Sequence, residues 1–95
     1  MKDRRIYIDK FTQQLKIWDA EINKLELKAD QAKADVKRKY KQTITELLSK
    51  REGLQNKLKE MDETTNEACD KLKQGFEKSW QDMSNAVKNA ISEFK

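Results

Sequence analysis

Residues 8–29, IDKFTQQLKIWDAEINKLELKA, place an apolar side chain at every third or fourth position. These positions are Ile8, Phe11, Leu15, Trp18, Ile22, Leu25 and Ala29. Steps that alternate between three and four residues put side chains on one face of an α-helix, whereas a strand needs a step of two. The stretch therefore predicts an amphipathic helix that packs against other helices.

The same line of apolar residues continues through nearly the whole chain. Its further positions are Ala32, Val36, Tyr40, Ile44, Leu47, Arg51, Leu54, Leu58, Met61, Thr65, Ala68, Leu72, Phe76, Trp80, Met83, Val87, Ala90 and Phe94. Only Arg51 and Thr65 are polar. The steps become consecutive fours over 32–44 and 68–80, and such slips locally unwind a left-handed supercoil. We therefore predict an all-α, coiled-coil fold.

Composition agrees with long helices. The chain has 95 residues, of which 40% are charged and 36% apolar, with two glycines and no proline. Such a length suits one domain at most, 1–95, and the scarcity of turn-forming residues disfavours a fold with many tight corners. Disorder is the competing class for so polar a chain, but a disordered chain has no apolar period. The periodicity therefore favours helix.

One break in the helix is expected. A single helix of this length would extend about 140 Å. The segment 61–67 contains a β-branched pair, Thr64 and Thr65, and Thr64 with Glu67 matches a capping box. We predict a first helix over about 3–61, a turn over 62–65 and a second helix over 66–94, which together form a long helical hairpin. A continuous rod with a weak point at the two threonines is the alternative.

The hairpin predicts a core. Its members are Tyr40, Leu47, Leu54, Leu58, Leu72, Phe76, Trp80, Met83, Val87 and Phe94. Counting outward from the turn places Leu72 opposite Leu54 and Phe94 near Ala32.

The first helix of this hairpin is about 30 residues longer than the second, so its N-terminal half has no partner within the chain. The row left uncovered consists of Ile8, Phe11, Leu15, Trp18, Ile22 and Leu25. Exposed apolar rows of this kind mark interfaces. We therefore predict a homodimer, assembled as a helical bundle, with a helical protein partner as a further possibility.

Catalytic chemistry is not expected. The chain lacks histidine and has one cysteine, Cys69. A partly buried structural thiol is the favoured interpretation of Cys69, and a redox role or a disulfide-linked dimer is the alternative. Glu63, Glu67 and Asp70 share a helix face, but this spacing is common on any charged helix. We predict no enzyme activity, no metal and no cofactor.

Two features leave other partners open. The first is the basic cluster Lys33, Lys37, Arg38, Lys39 and Lys41, which is either a solvated face partly neutralised by an Asp35–Lys39 pair or a contact for nucleic acid or an anionic membrane. The second is the apolar arc of the C-terminal helix, Leu72, Phe76, Trp80, Met83, Val87, Ala90, Ile91 and Phe94. Packing between helices explains this arc, and so does a membrane surface. A peripheral protein that binds anionic lipid is thus the alternative function.

The N-terminus has no apolar run of signal-peptide length, and no segment approaches a membrane span, so a cytoplasmic location is expected. The chain also resembles short bacterial coiled-coil proteins, which are unassigned in function and sometimes labelled stress-response. The resemblance lies in the segment 15–30, the alanine-rich run up to Tyr40, the residues 50–52 and the ending from Gly75. Residues 64–69 depart from that pattern. The resemblance implies a small bacterial accessory protein and supplies no catalytic residues.

Overall fold

The computed structural model describes residues 2–94, which form three α-helices. Helix α1 spans Lys2–Gln31, α2 spans Ala34–Glu63 and α3 spans Asn66–Glu93. The chain reverses direction at two-residue turns, so α2 runs antiparallel to both of its neighbours. The bundle measures 50 × 19 × 18 Å, about the length of one 30-residue helix. The all-α prediction is confirmed.

The first helix ends earlier than the sequence predicts. The single helix expected over 3–61 is two helices, separated at Ala32 and Lys33. Helix α2 begins after Lys33, whose side chain forms no capping hydrogen bond. No glycine, proline or capping side chain marks this turn, so packing between α1 and α2 accounts for the reversal better than local propensity does. The first slip in the apolar line begins at Ala32.

The second turn lies where the threonine pair occurs. Thr64 ends α2, and the side chain of Thr65 accepts a hydrogen bond from the amide of Ala68 at 3.2 Å. The capping residue is therefore Thr65, one residue later than the capping box predicts. On the α1 side, the guanidinium of Arg4 donates to the carbonyl oxygens of Met61 and Thr64. This contact satisfies carbonyls that the end of α2 leaves without helical partners.

Side chains from all three helices form the core. Seven of the predicted hairpin-core residues are buried: Tyr40, Leu47, Leu54, Leu58, Phe76, Met83 and Val87. The other three, Leu72, Trp80 and Phe94, are half-buried and pack against this core. Helix α2 packs closely along both neighbours, whereas α1 and α3 approach each other at fewer points. The central helix thus organises the bundle.

One polar residue in the apolar line has a specific partner. Arg51 donates from Nε and Nη2 to the two carboxylate oxygens of Asp19 on α1, at 2.5 and 2.9 Å. Its remaining terminal nitrogen donates to Gln55 at 2.6 Å. The bidentate pair places an arginine at a core-facing position without burying an unpaired charge.

The register of α2 against α3 differs from the predicted one. The ring of Phe94 stacks on Tyr40 with a centroid separation of 3.9 Å, and not near Ala32. The Nζ of Lys50 also lies 2.5 Å from a carboxylate oxygen of Asp82. The prediction counted equal numbers of residues outward from the turn along α2 and α3. In the structure α3 is displaced along α2, so each α3 residue faces a later α2 residue than predicted. Consequently, residues 34–39 of α2 extend beyond Phe94.

Candidate interaction surface

The apolar row expected at a dimer interface lies inside the bundle. Ile8, Leu15, Trp18, Ile22 and Leu25 are buried, and Phe11 is half-buried. Phe11 contacts the rings of Phe76 and Trp80 on α3, with centroids 4.9 and 4.5 Å away, and Trp18 also meets Trp80. The expectation that this row lacks a partner within the chain was wrong. The turn at residues 32–33 brings α2 and then α3 against it.

The apolar arc of α3 also faces the bundle. Phe76, Met83, Val87 and Ala90 are buried, and Leu72, Trp80 and Phe94 are half-buried. Only Ile91 is classed as exposed within the arc, at 37%. A membrane could use this arc only if α3 separated from the other two helices.

The thiol of Cys69 is packed, and two of the three carboxylates that share a helix face, Glu67 and Asp70, have a lysine nearby. Cys69 is buried, with 2% of its surface exposed. Glu67 lies 4.0 Å from Lys71, and Asp70 lies 3.4 Å from Lys73. Among residues 2–94 the structure gathers no three acidic, cysteine or histidine side chains into a possible metal site.

The phenol of Tyr7 has a raised pKa. Burial raises the pKa of its phenol well above the ordinary value, because the charged phenolate loses solvation. The hydroxyl also donates to a carboxylate oxygen of Glu77 at 3.0 Å, which favours the neutral form further. The ammonium of Lys73 lies 4.8 Å from the centre of the ring. These contacts join the N-terminal part of α1 to α3.

The basic cluster occupies one end of the bundle. Lys33 precedes α2, and most of the remaining cluster lies in the part of α2 that extends beyond Phe94. Residues 33–41 contain five basic and one acidic residue, whereas the chain contains 21 basic and 17 acidic residues. The other 86 residues therefore contain 16 of each sign. The whole formal net charge of +4 is thus located in this segment, which we call the basic end: Lys33, Lys37, Arg38, Lys39 and Lys41.

The side chains of the basic end form no ion pair with any residue that the structure describes. The ion pairs found within residues 2–94 join other side chains, on the remaining length of the bundle. The Asp35–Lys39 pair expected from the sequence is not among them. Four of the five basic side chains are exposed, and Lys37 is half-buried.

A shallow groove runs between α1 and α2 on the side away from α3. Its volume is about 630 Å³, and its rim includes Lys16 of α1 together with Glu52 and Lys59 of α2. The apolar floor is narrow, because Ile8, Leu15 and Leu58 are already buried under the rim. The groove identifies which residues face outward on the α1–α2 side.

Helix geometry extends that α1–α2 side toward the basic end. Leu27 follows Lys16 by eleven residues, close to three full turns, so the two share a face. Lys41 and Leu48 precede Glu52 by eleven and four residues, so they share the face that α2 contributes. Leu27 is 65% exposed and Leu48 is 43% exposed. Leu27 lies four residues before the end of α1, at the basic end, whereas Leu48 lies seven residues, about 10 Å, beyond Lys41 along α2. We call these two exposed leucines of the α1–α2 side the leucine pair.

No family model, curated protein or solved structure matches the chain. No helix within residues 2–94 is long and apolar enough to cross a bilayer. Sequence reasoning identified the basic cluster but not the leucine pair. The pair depends on the fold-back at residues 32–33, which the local sequence does not signal.

Proposed function

We propose that this protein is a non-enzymatic interaction protein that binds a polyanionic partner through its basic end. The observation that supports the proposal is that residues 33–41 account for the entire net charge, at one end of a rod about 50 Å long, and that no ion pair among residues 2–94 involves them. Unpaired exposed cations keep their full charge for an external anion. Clustered charge of one sign also accelerates encounter with an oppositely charged surface.

The position of the cluster suits this role. A solvated helix face normally mixes both signs, as the rest of the chain does. None of the residues 33–39 belongs to the bundle core, and α3 ends level with Tyr40 of α2. The basic end can therefore contact a partner without disturbing the packing that holds the helices together.

A salt-elution experiment on immobilised heparin, a model polyanion, tests the proposal. One triple variant replaces Lys33, Lys39 and Lys41 by glutamine. The control triple variant replaces Lys16, Lys59 and Lys78, which are also exposed, by glutamine. It therefore lowers the net charge by the same amount. We expect the first variant to elute at clearly lower salt than the control. Equal elution of the two variants would mean that only total charge matters and would reject the basic end as a site.

Self-association and a helical protein partner stay predictions. The row that motivated the dimer is covered by α2 and α3, so the proposal does not depend on a dimer. A bacterial, stress-related role likewise stays an expectation from the resemblance. Molecular mass measured by light scattering during the same elution experiments tests the dimer directly.

A further inference from the structure

We infer that the polyanionic partner is an anionic phospholipid surface, which the protein contacts with the basic end and the leucine pair together. This inference depends on the proposed function and names its partner. Lysines supply the attraction to lipid phosphates, and the two leucines supply apolar surface that enters the boundary between headgroups and acyl chains. Charge complementarity favours this partner, and so does the exposed aliphatic surface on the same side of the bundle as Lys41.

Aliphatic exposure distinguishes a membrane from a nucleic acid. The leucine pair is 65% and 43% exposed, on the same side of the bundle as Lys41. A third aliphatic side chain, Val36, lies among the residues of the basic end and is 44% exposed. It is not covered by α3, because α3 ends level with Tyr40 of α2. Lysine-rich surfaces with protruding aliphatic residues are characteristic of proteins that lie on lipid interfaces. Phosphate backbones provide no comparable apolar surface.

The aromatic residues near this end do not favour nucleic acid. Proteins that bind single strands present free rings on which bases stack. Tyr40 and Phe94 instead stack on each other with their ring planes inclined by 24°, and the Tyr40 hydroxyl lies 3.4 Å from the Phe94 carbonyl oxygen. Both rings therefore have their stacking partner within the protein.

Co-sedimentation with vesicles tests the inference on the full chain. The probes are vesicles of phosphatidylcholine alone and of phosphatidylcholine with phosphatidylglycerol. We expect binding only to the second, because a lysine near an anionic surface contributes roughly a fivefold gain in partitioning. The lysine triple of the heparin experiment should then lose roughly a hundredfold, and raised salt should weaken binding of the unmodified chain.

A matched pair of variants isolates the leucines. Leu27→Gln with Leu48→Gln removes the leucine pair, whereas Ile6→Gln with Ile17→Gln removes two isoleucines that are 66% and 56% exposed on α1. We expect the leucine variant to bind the anionic vesicles at least about tenfold more weakly than the isoleucine variant. Both variants should elute from heparin like the unmodified chain, because neither changes the charge.

Two outcomes separate the inference from the proposed function. One is binding to heparin through the basic end without binding to vesicles. The other is binding to duplex DNA that depends on the basic end and that vesicles fail to compete away. Either result would overturn the lipid inference and leave the polyanion proposal standing. Equal vesicle binding by the leucine and isoleucine variants would overturn the role of the leucine pair. Failure on both heparin and vesicles would reject both proposals.

Discussion

Replacing Ile22 by valine tests whether a single chain covers its own apolar row. Ile22 is 2% exposed and belongs to the row that the sequence assigns to a dimer interface. Ile17 lies five residues earlier on the same helix and is 56% exposed, so Ile17→Val is the matched control. Each substitution removes one methylene group and keeps the β-branched shape.

The expected magnitude follows from burial. Removing a methylene from a packed core costs roughly 0.5–1.5 kcal/mol, because the lost transfer energy adds to the cost of a small cavity. For a domain of this size, a loss of 1 kcal/mol lowers Tm by roughly 4–8 °C. The exposed control should stay within about 0.5 kcal/mol of the unmodified chain.

Thermal unfolding followed by circular dichroism gives the result. We expect Ile22→Val to melt several degrees lower and Ile17→Val to melt almost unchanged. We also expect each Tm to stay constant over a roughly hundredfold range of protein concentration, because the contacts lie within one chain. A Tm that rises with concentration, or equal losses for the two variants, would refute this reasoning.

Three further predictions concern single contacts. Thr65→Ala should cost about 1 kcal/mol in the free energy of unfolding measured with urea. Thr64→Ala removes no N-cap hydrogen bond and should cost less. The reverse order would contradict Thr65 as the cap of α3. A double-mutant cycle on Arg51→Ala and Asp19→Ala should give a coupling of about 0.5–1 kcal/mol in the free energy of unfolding. This coupling should fall with added salt, because both side chains are partly exposed. Zero coupling at low salt would remove the pair as a link between α1 and α2. The raised pKa of Tyr7 favours its neutral form in the folded state, so this contribution is present below the unfolded pKa of 10.0 and is lost as the pH rises above it. Tyr7→Phe should therefore lose less stability than the unmodified chain between about pH 9 and 11, and parallel losses would argue against a raised pKa.

Periodicity in the sequence predicted the helices and their inward faces because burial follows helix geometry directly. Leu47, Phe76 and Met83 lie in the core, as their three- and four-residue steps indicate. The polar exceptions also have structural roles, since Arg51 pairs with a carboxylate and Thr65 caps α3. Both roles depend on residues distant in space or on backbone geometry, which the line of apolar residues does not reveal.

The first turn was missed for a physical reason. Residues around Ala32 and Lys33 are helix formers, and the turn has no side-chain cap. Its formation depends on the energy of packing α1 against α2, which is a tertiary effect. The change to consecutive four-residue steps at Ala32 was the available signal, but such slips also occur in continuous coiled coils.

The candidate site was visible only in part for the same reason. The basic cluster is contiguous in sequence, so composition alone identified it. Its place beyond Phe94 depends on the register of α2 against α3. The leucine pair joins residues from two helices, Leu27 and Leu48, and the missed turn is what brings them to one side.

The fold-back at Ala32 and Lys33 is the claim on which the closed core and the exposed basic end both depend. Pulsed electron spin resonance measures it directly, with spin labels on Arg5→Cys and Glu63→Cys in a Cys69→Ala background and excess unlabelled protein to dilute contacts between molecules. The contact of Arg4 with the end of α2 predicts a label separation below about 25 Å, as for neighbouring helices. A separation near 87 Å, roughly that of one unbroken helix from residue 5 to residue 63, would contradict the account.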